Sequence, residues 1–359
     1  MIVGLAAGQR ALGHDVRLIS SDHPGGAADR FVAAHLDPPP PRAIVRPKFF
    51  VPLLTRRRLR AALAGADVAH LHGIWPPVTL LAGRICRALG IPYVLAPHGS
   101  LHVGALGEKW PRKQVGLWLL GYADLVRYAA ALHLLNADEI RIPWFVPQPT
   151  RRATIPNGVF TAPFDDIPPV GDGPSTVVFL GRLHPGKGCD VLGEAFGQLA
   201  RHDPAVRLLA VGPDQGGAAI LRAAAARHGC ADRLELPGPL FGADKAAALA
   251  RATVFCLPSR HEGFSIATLE ALAARRPVVI SDACHFPEVA RADAGIVVRA
   301  TAAAVAQALG RIVADRTLAA EMGQRGRALV EARYRWPSIA QRTVDLYRSL
   351  RNDDTGGPR

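Results

Sequence analysis

No two of the five cysteines in this 359-residue sequence (Cys86, Cys189, Cys230, Cys256, Cys284) form a C-x-x-C pair. That spacing argues against a zinc ribbon and a disulfide framework, and it fits a reducing cytosol. Long apolar runs are missing as well; none approaches the roughly 18 residues of a membrane-spanning helix. The opening MIVGLAAGQR has no basic leader, so no secretory signal is expected there. A soluble cytoplasmic chain, or one attached peripherally to the cytosolic face of a membrane, is the expectation. Lysine is scarce beside arginine, a mark of coding bias as much as of selection.

What is present is a globular mixture. With 49% hydrophobic and 20% charged residues, a chain this long can fill two domain cores without covalent staples. The formal net charge is +13, unevenly spread: residues 1–150 hold 17 Lys/Arg against 9 Asp/Glu, the remaining 209 hold 26 against 21. Such a balance suits nucleic acid, anionic lipid or phosphorylated small molecules. For nucleic acid, no recognition motif or aromatic–basic stacking platform gives support.

From Ser175 onward, apolar runs alternate with amphipathic stretches. STVVFLG (175–181), VRLLAVG (206–212), RLELPG (233–238), TVFCLPS (253–259), PVVIS (277–281) and AGIVVR (294–299) read as strands. Helices are expected at 188–200, 218–229, 245–252 and 266–275, with a short one near Pro287–Ala292. Continuous apolar strands mark a parallel sheet covered on both faces, and the alternation implies a doubly wound α/β domain. The first half shows the same grammar more faintly, with strands at 14–20, 67–73, 91–99 and 131–137 and helices at 76–90 and 113–130. The Pro-, Gly- and Asp-rich stretch 161–174 is the best linker candidate. The expected fold is α/β with two Rossmann-like, doubly wound domains, residues 1–157 and 158–335. A C-terminal helix and tail, 336–359, should pack back toward the first. Ligands of such sheets lie outside the carboxyl ends of the strands, so two facing domains would form a cleft.

Two strand-end loops carry the chemistry. GRLHPGKG (181–188) brings Arg182 and Lys187 beside the first-turn amides of a helix, a combination that suits phosphate. It completes neither G-x-x-x-x-G-K-[ST] nor G-x-G-x-x-G, and read alone it is as readily a basic surface turn. HEGFSIATLE (261–270) offers the amides of Gly263, Phe264 and Ser265 as unsatisfied first-turn donors. Glu262 stands where its carboxylate can accept from ligand hydroxyls. Glu270, eight residues on, can take both hydroxyls of a ribose diol. A lone helical glutamate is more often a solvated surface residue. The pair beside an Arg–Lys loop, however, gives one domain the means to hold a diphosphate, a sugar and a ribose. Two cations and helix amides can also stabilise a departing phosphate, and no D-x-D run accompanies them, so no metal is expected. His70 and His72 in HLHG have the spacing of a metal pair but no evident third ligand, and cleft lining suits them better.

GRLHPGKG followed about 75 residues later by EGFSIATLE resembles the donor signature of retaining glycosyltransferases of family four. The mark of that family is a Glu, seven residues and a second Glu in the second domain of the two-Rossmann GT-B fold. HLHGIWPP (70–77), IPYVLAPHGSL (91–101), ATIPNGVF (153–160), SDACHFPEVA (281–290) and YRWPSIAQRTVDLYRSL (334–350) are similar to further segments of the family, so the resemblance covers most of the chain. It implies a hexosyltransferase that moves a sugar, with retention, from a UDP-, GDP- or ADP-sugar donor to a lipid-linked or glycan acceptor. Cell-surface polysaccharide or glycolipid assembly is the setting, and no cofactor is implied. The implied roles place Arg182 and Lys187 on the diphosphate, Glu262 on the transferred sugar and Glu270 on the ribose. Leu240, in the GPL loop, would pack on the base, and His98, in PHG, would face the sugar from the first domain.

The sequence departs from the family in two places. Family members begin with a strand and a Gly-containing loop, whereas IVGLAAGQRALGHDVRLIS starts almost inside the first helix. A missing central strand leaves unpaired backbone edges, so a poorly folded first domain is the expectation for these residues expressed alone. A non-catalytic sugar-nucleotide binder or an inactive truncated copy is therefore the alternative reading. Arg275–Arg276 also stands before Pro277 where a glycine usually ends the helix. The positive first domain suits a lipid-linked acceptor. KFFVPLLTRRRLRAALAG (48–65), with Arg56, Arg57, Arg58 and Arg60, reads either as a face for anionic headgroups or as an ordinary helix with a solvated basic face.

Overall fold

The computed structural model describes residues 1–20, 42–44, 53–101, 119–140, 146–147 and 151–353. The start of the basic segment, 48–52, and the start of the expected helix, 113–118, lie outside them. The chain divides into two compact units, Met1–Asn157 with Trp336–Arg359, and Gly158–Arg335.

In the first unit, β1 (Leu18–Ser20) pairs in parallel with β2 (Arg42–Ile44). β3 (Ala69–His72), β4 (Tyr93–Ala96), β5 (Ala131–Leu134) and β6 (Arg152–Thr154) form a second parallel sheet in that order. Among the described residues no strand pairing joins the two sheets. β4 and β5 are buried along their whole length, as their unbroken apolar runs require. The helix Pro77–Leu89 has proline in its first turn, where the missing N–H costs nothing, and closes on Gly90 at φ 68. Of the helix expected at 113–130, Tyr122–Arg127 is a helix within the described residues. β2 and β6 were not expected; at three residues each, one largely polar, they are too short for a pattern to register. The C-terminal helix Trp336–Asp353 packs on Ile2–Ala11 so closely that a Cβ on Gly4 would fall 2.1 Å from the Trp336 ring.

The second unit holds six parallel strands, β7 (Thr176–Leu180), β8 (Arg207–Val211), β9 (Leu234–Gly238), β10 (Val254–Leu257), β11 (Val278–Ser281) and β12 (Gly295–Val298), in the order β12-β11-β10-β7-β8-β9. The chain steps outward from β7 to β9 and then returns to the other side of β7 for β10. The connections that follow β7 and β10 therefore lead to opposite sides of the strand order, and the carboxyl ends of these two strands are the switch point where such sheets bind ligands.

The helix Ile266–Ala273 ends without a glycine. Arg275 itself takes the left-handed conformation, φ 55, which costs an L-residue about 1–2 kcal/mol. Its guanidinium offsets that cost by donating to the carbonyls of Asp165 and Ile167 at 3.1 and 2.9 Å. Arg276, 1% exposed, donates to Leu249, Ala250 and Pro168 carbonyls at 3.0, 3.1 and 2.9 Å. The two arginines thus tie the helix end to the linker. Among the described residues no helix is long and apolar enough to cross a membrane.

Candidate functional site

The loops after β7 and β10 touch at the switch point. Pro185–Lys187 is a single turn, held open at its start by His184, whose Nδ1 accepts from the Gly186 amide at 3.0 Å. Gly188 follows at φ 74, with the carbonyl of Pro258 so near that a Cβ would lie 2.0 Å from its oxygen. Only glycine meets both demands. Arg260 clamps the approach: its amide donates to the Gly186 carbonyl at 3.0 Å and its Nη1 to Pro185 at 2.7 Å. The same guanidinium forms a two-pronged pair with Asp190 at 2.7 and 2.5 Å, in the first turn of the helix Cys189–His202. The clamp brings two of the sequence-derived residues together: Lys187 Nζ bonds Glu262 Oε2 across the two loops. The Glu262 amide donates to Ala283 at 3.1 Å on the loop after β11, and Ser259 Oγ lies 3.4 Å from the carboxylate.

Glu270 sits in the helix Ile266–Ala273 and pairs at 2.6 Å with Lys245, on the helix Gly242–Ala250. Ser265 is the cap of Glu270's helix; its Oγ accepts from the Thr268 amide at 3.1 Å. The cap takes the Thr268 amide, which is not one of the Gly263, Phe264 and Ser265 amides expected as ligand donors. Phe264, 9% exposed, turns its ring toward Phe286 and Tyr334, so only its backbone faces the loop. Gly263 precedes it in the same loop. Arg182 is exposed and its Nη1 donates at 3.0 Å to Gln215, on the loop after β8. Leu240, half-buried, lies between β9 and the helix that carries Lys245.

His98 belongs to the first unit. It follows β4 at φ 51, another left-handed position without glycine. Its Nε2 lies 3.0 Å from Nδ1 of His72, at the end of β3, and the two rings stack with 8° between their planes. His70, two residues back on the same face of β3, stacks on His72 at 4.4 Å and reaches His133 on β5 at 3.1 Å. Burial holds all four imidazoles below their usual range, His98 at about 4, and their mutual repulsion when charged adds to it for three of them. The paired nitrogens point at one another, not at a common centre.

Lys245, Arg260, Asp190, Gln215 and His133 escaped the sequence reading. Lysine scarcity was an available signal, since Lys187 and Lys245 are the only lysines beyond Lys113 and each holds one of the two glutamates. Nothing local linked Arg260 to a partner 70 residues away.

Comparison with known proteins gives consistent matches. Residues 174–315 match the family model described as glycosyl transferases group 1, and residues 1–158 match the glycosyl transferase 4-like domain. The chain is 30% identical over 368 residues to the phosphatidyl-myo-inositol mannosyltransferase of Mycobacterium leprae (strain TN), covering 97% of the chain and 92% of that protein. It is 35% identical over 327 residues to the GDP-mannose-dependent alpha-(1-6)-phosphatidylinositol monomannoside mannosyltransferase of Mycobacterium tuberculosis (strain ATCC 25618 / H37Rv), covering 83% and 79%. The fold resembles that of sucrose-phosphate synthase from Thermosynechococcus elongatus, with a TM-score of 0.75, 23% identity, and 97% and 92% of the two chains covered.

Proposed function

Because this chain is a glycosyltransferase of family four with the GT-B architecture, we propose that it transfers a hexosyl group, with retention and without a metal, from a nucleotide-diphosphate sugar to a lipid-linked or glycan acceptor. The contact that carries this reading is Lys187 to Glu262 at the switch point of the six-stranded sheet. There a cation for phosphate and a carboxylate for sugar hydroxyls meet at the diphosphate–sugar junction of a single ligand. Arg182 and Lys187 neutralise the diphosphate, whose charge grows as the anomeric C–O bond breaks. The amides of Gly263, Phe264 and Ser265 add fixed dipoles. Glu262 takes the hydroxyls of the transferred sugar, and Glu270 the ribose diol. Leu240 packs on the base. His98 faces the transferred sugar. GDP-mannose is the favoured donor and a phosphoinositide-type lipid the favoured acceptor, because both mannosyltransferase relatives are named for such substrates or donors.

The acceptor reading is also supported by the helix Leu53–Leu63. Arg56, Arg57, Arg58 and Arg60 are exposed on it, while Leu59 and Leu63 are 0% and 5% exposed. With those leucines turned inward, contact with anionic headgroups on the cytosolic face is electrostatic rather than insertive. Calorimetry with GDP, UDP and ADP, followed by turnover of the matching sugar nucleotide in EDTA and proton NMR of the product anomer, tests the whole reading. GDP binding and a retained anomer formed in EDTA are expected. K187A and E262Q should each lower kcat/KM by about 100-fold or more. Nucleotide binding without transfer would leave a non-catalytic binder, and no binding at all would overturn the site.

A further inference from the structure

We propose that His72 is a positioning residue for His98, and that Tyr347 on the C-terminal helix aligns it through the ring stack between them. The inference rests on the reading of His98 as the residue facing the sugar. Hydrogen positions follow from one fixed point. The Ile155 carbonyl can only accept, so His133 Nε2, 2.7 Å away, carries the proton. His133 Nδ1 is then the acceptor, and His70 Nε2 must donate to it at 3.1 Å. His70 Nδ1 accepts in turn from the Tyr347 hydroxyl at 2.7 Å, whose oxygen receives Gln9 Nε2 at 3.0 Å. The chain runs in one direction from the first helix to the residue just after β6, and it fixes both the tautomer and the plane of His70. Burial, which keeps these rings uncharged, preserves the lone pairs the chain needs.

His72 lies flat on that anchored ring, 4.4 Å away and inclined by 24°, and its Nδ1 holds His98 Nε2. With Nε2 committed, Nδ1 is the His98 nitrogen left for a substrate. His98 also needs such support, because φ 51 is sparsely populated by residues with a side chain. Such positions persist where neighbouring groups over-determine them. No other ring contact ties His98 among the described residues.

The test uses the full chain, GDP-mannose as probe, and the atom that His72 employs. An asparagine amide reproduces imidazole Nδ1, whereas a glutamine amide reproduces Nε2. H72N should therefore keep the bond, and H72Q and H72L should lose it. Expected are a kcat lowered about 10- to 100-fold in H72Q and H72L with KM nearly unchanged, and kcat in H72N within about 3-fold of wild type. In the ligand-free protein the nitrogen-15 resonances of the His98 ring should move in H72Q, H72L and Y347F but not in H72N. H72Q serves if H72L does not fold. If H98A loses turnover while H72Q retains wild-type kcat and His98 resonances, the inference is overturned and the reading of His98 stands. If H98A itself turns over normally, both fall.

Discussion

Replacing Gly188 with alanine tests whether the two loops at the switch point need their backbone contact. The added Cβ would sit 2.0 Å from the Pro258 oxygen and 2.8 Å from its carbonyl carbon. A comfortable C···O contact is about 3.4 Å, so the loops must part by roughly 1.4 Å. At φ 74 alanine also takes on about 1–2 kcal/mol of left-handed strain. Overpacking of this kind adds about 1–3 kcal/mol. Gly229 is the matched control: it lies in the same unit at φ 66, and a methyl added there would have nothing within 4 Å. G229A should show the strain alone. The extra loss in G188A, about 1–3 kcal/mol, then reads the contact. The functional effect should be larger, because Lys187 is the adjacent residue and its bond to Glu262 spans the same two loops. A displacement near 1 Å there should lower kcat/KM about 100-fold. GDP calorimetry, turnover and denaturant unfolding of both variants measure this. If G188A matches G229A in stability and in GDP affinity, the loop contact does not hold the site together.

Two further outcomes follow from buried charge. R276M removes the donor to three carbonyls around a 1%-exposed position, and should cost on the order of 3 kcal/mol, seen as a lowered melting temperature; an unchanged melt would mean those carbonyls find other donors. The histidine stack makes the chain sensitive to mild acid. His98 has a folded value of about 4 against about 6.5 unfolded, so between these the unfolded chain binds more protons and stability falls as pH drops below about 6.5. His98 alone accounts for at most about 3 kcal/mol by pH 4. Melting temperatures should already decline between pH 6.5 and 5.5, above the carboxylate range, and a flat profile would show that the rings are not held neutral.

What could be read along the chain was whatever depends on near neighbours. The unbroken apolar runs of β7, β8, β10 and β11 announced a covered parallel sheet, because a strand buried on both faces has no polar side to show. GRLHPGKG and HEGFSIATLE stood out because a strand-to-helix loop with cations or carboxylates is a local pattern. The three-residue β2 and β6 left no such trace. Arg275–Arg276 in place of the usual glycine was visible in the sequence, but the offset for the strain at Arg275 was not, because it comes from carbonyls 108 to 110 residues away in the chain. Pairings between distant segments needed the folded chain. Lys187 meets Glu262 because strand order sets β10 against β7, and Arg260 reaches Asp190 for the same reason. The Tyr347–His70–His133 chain joins residues 277 and 63 positions apart. No periodicity encodes such contacts, since they arise only when separate strands and a C-terminal helix are packed side by side.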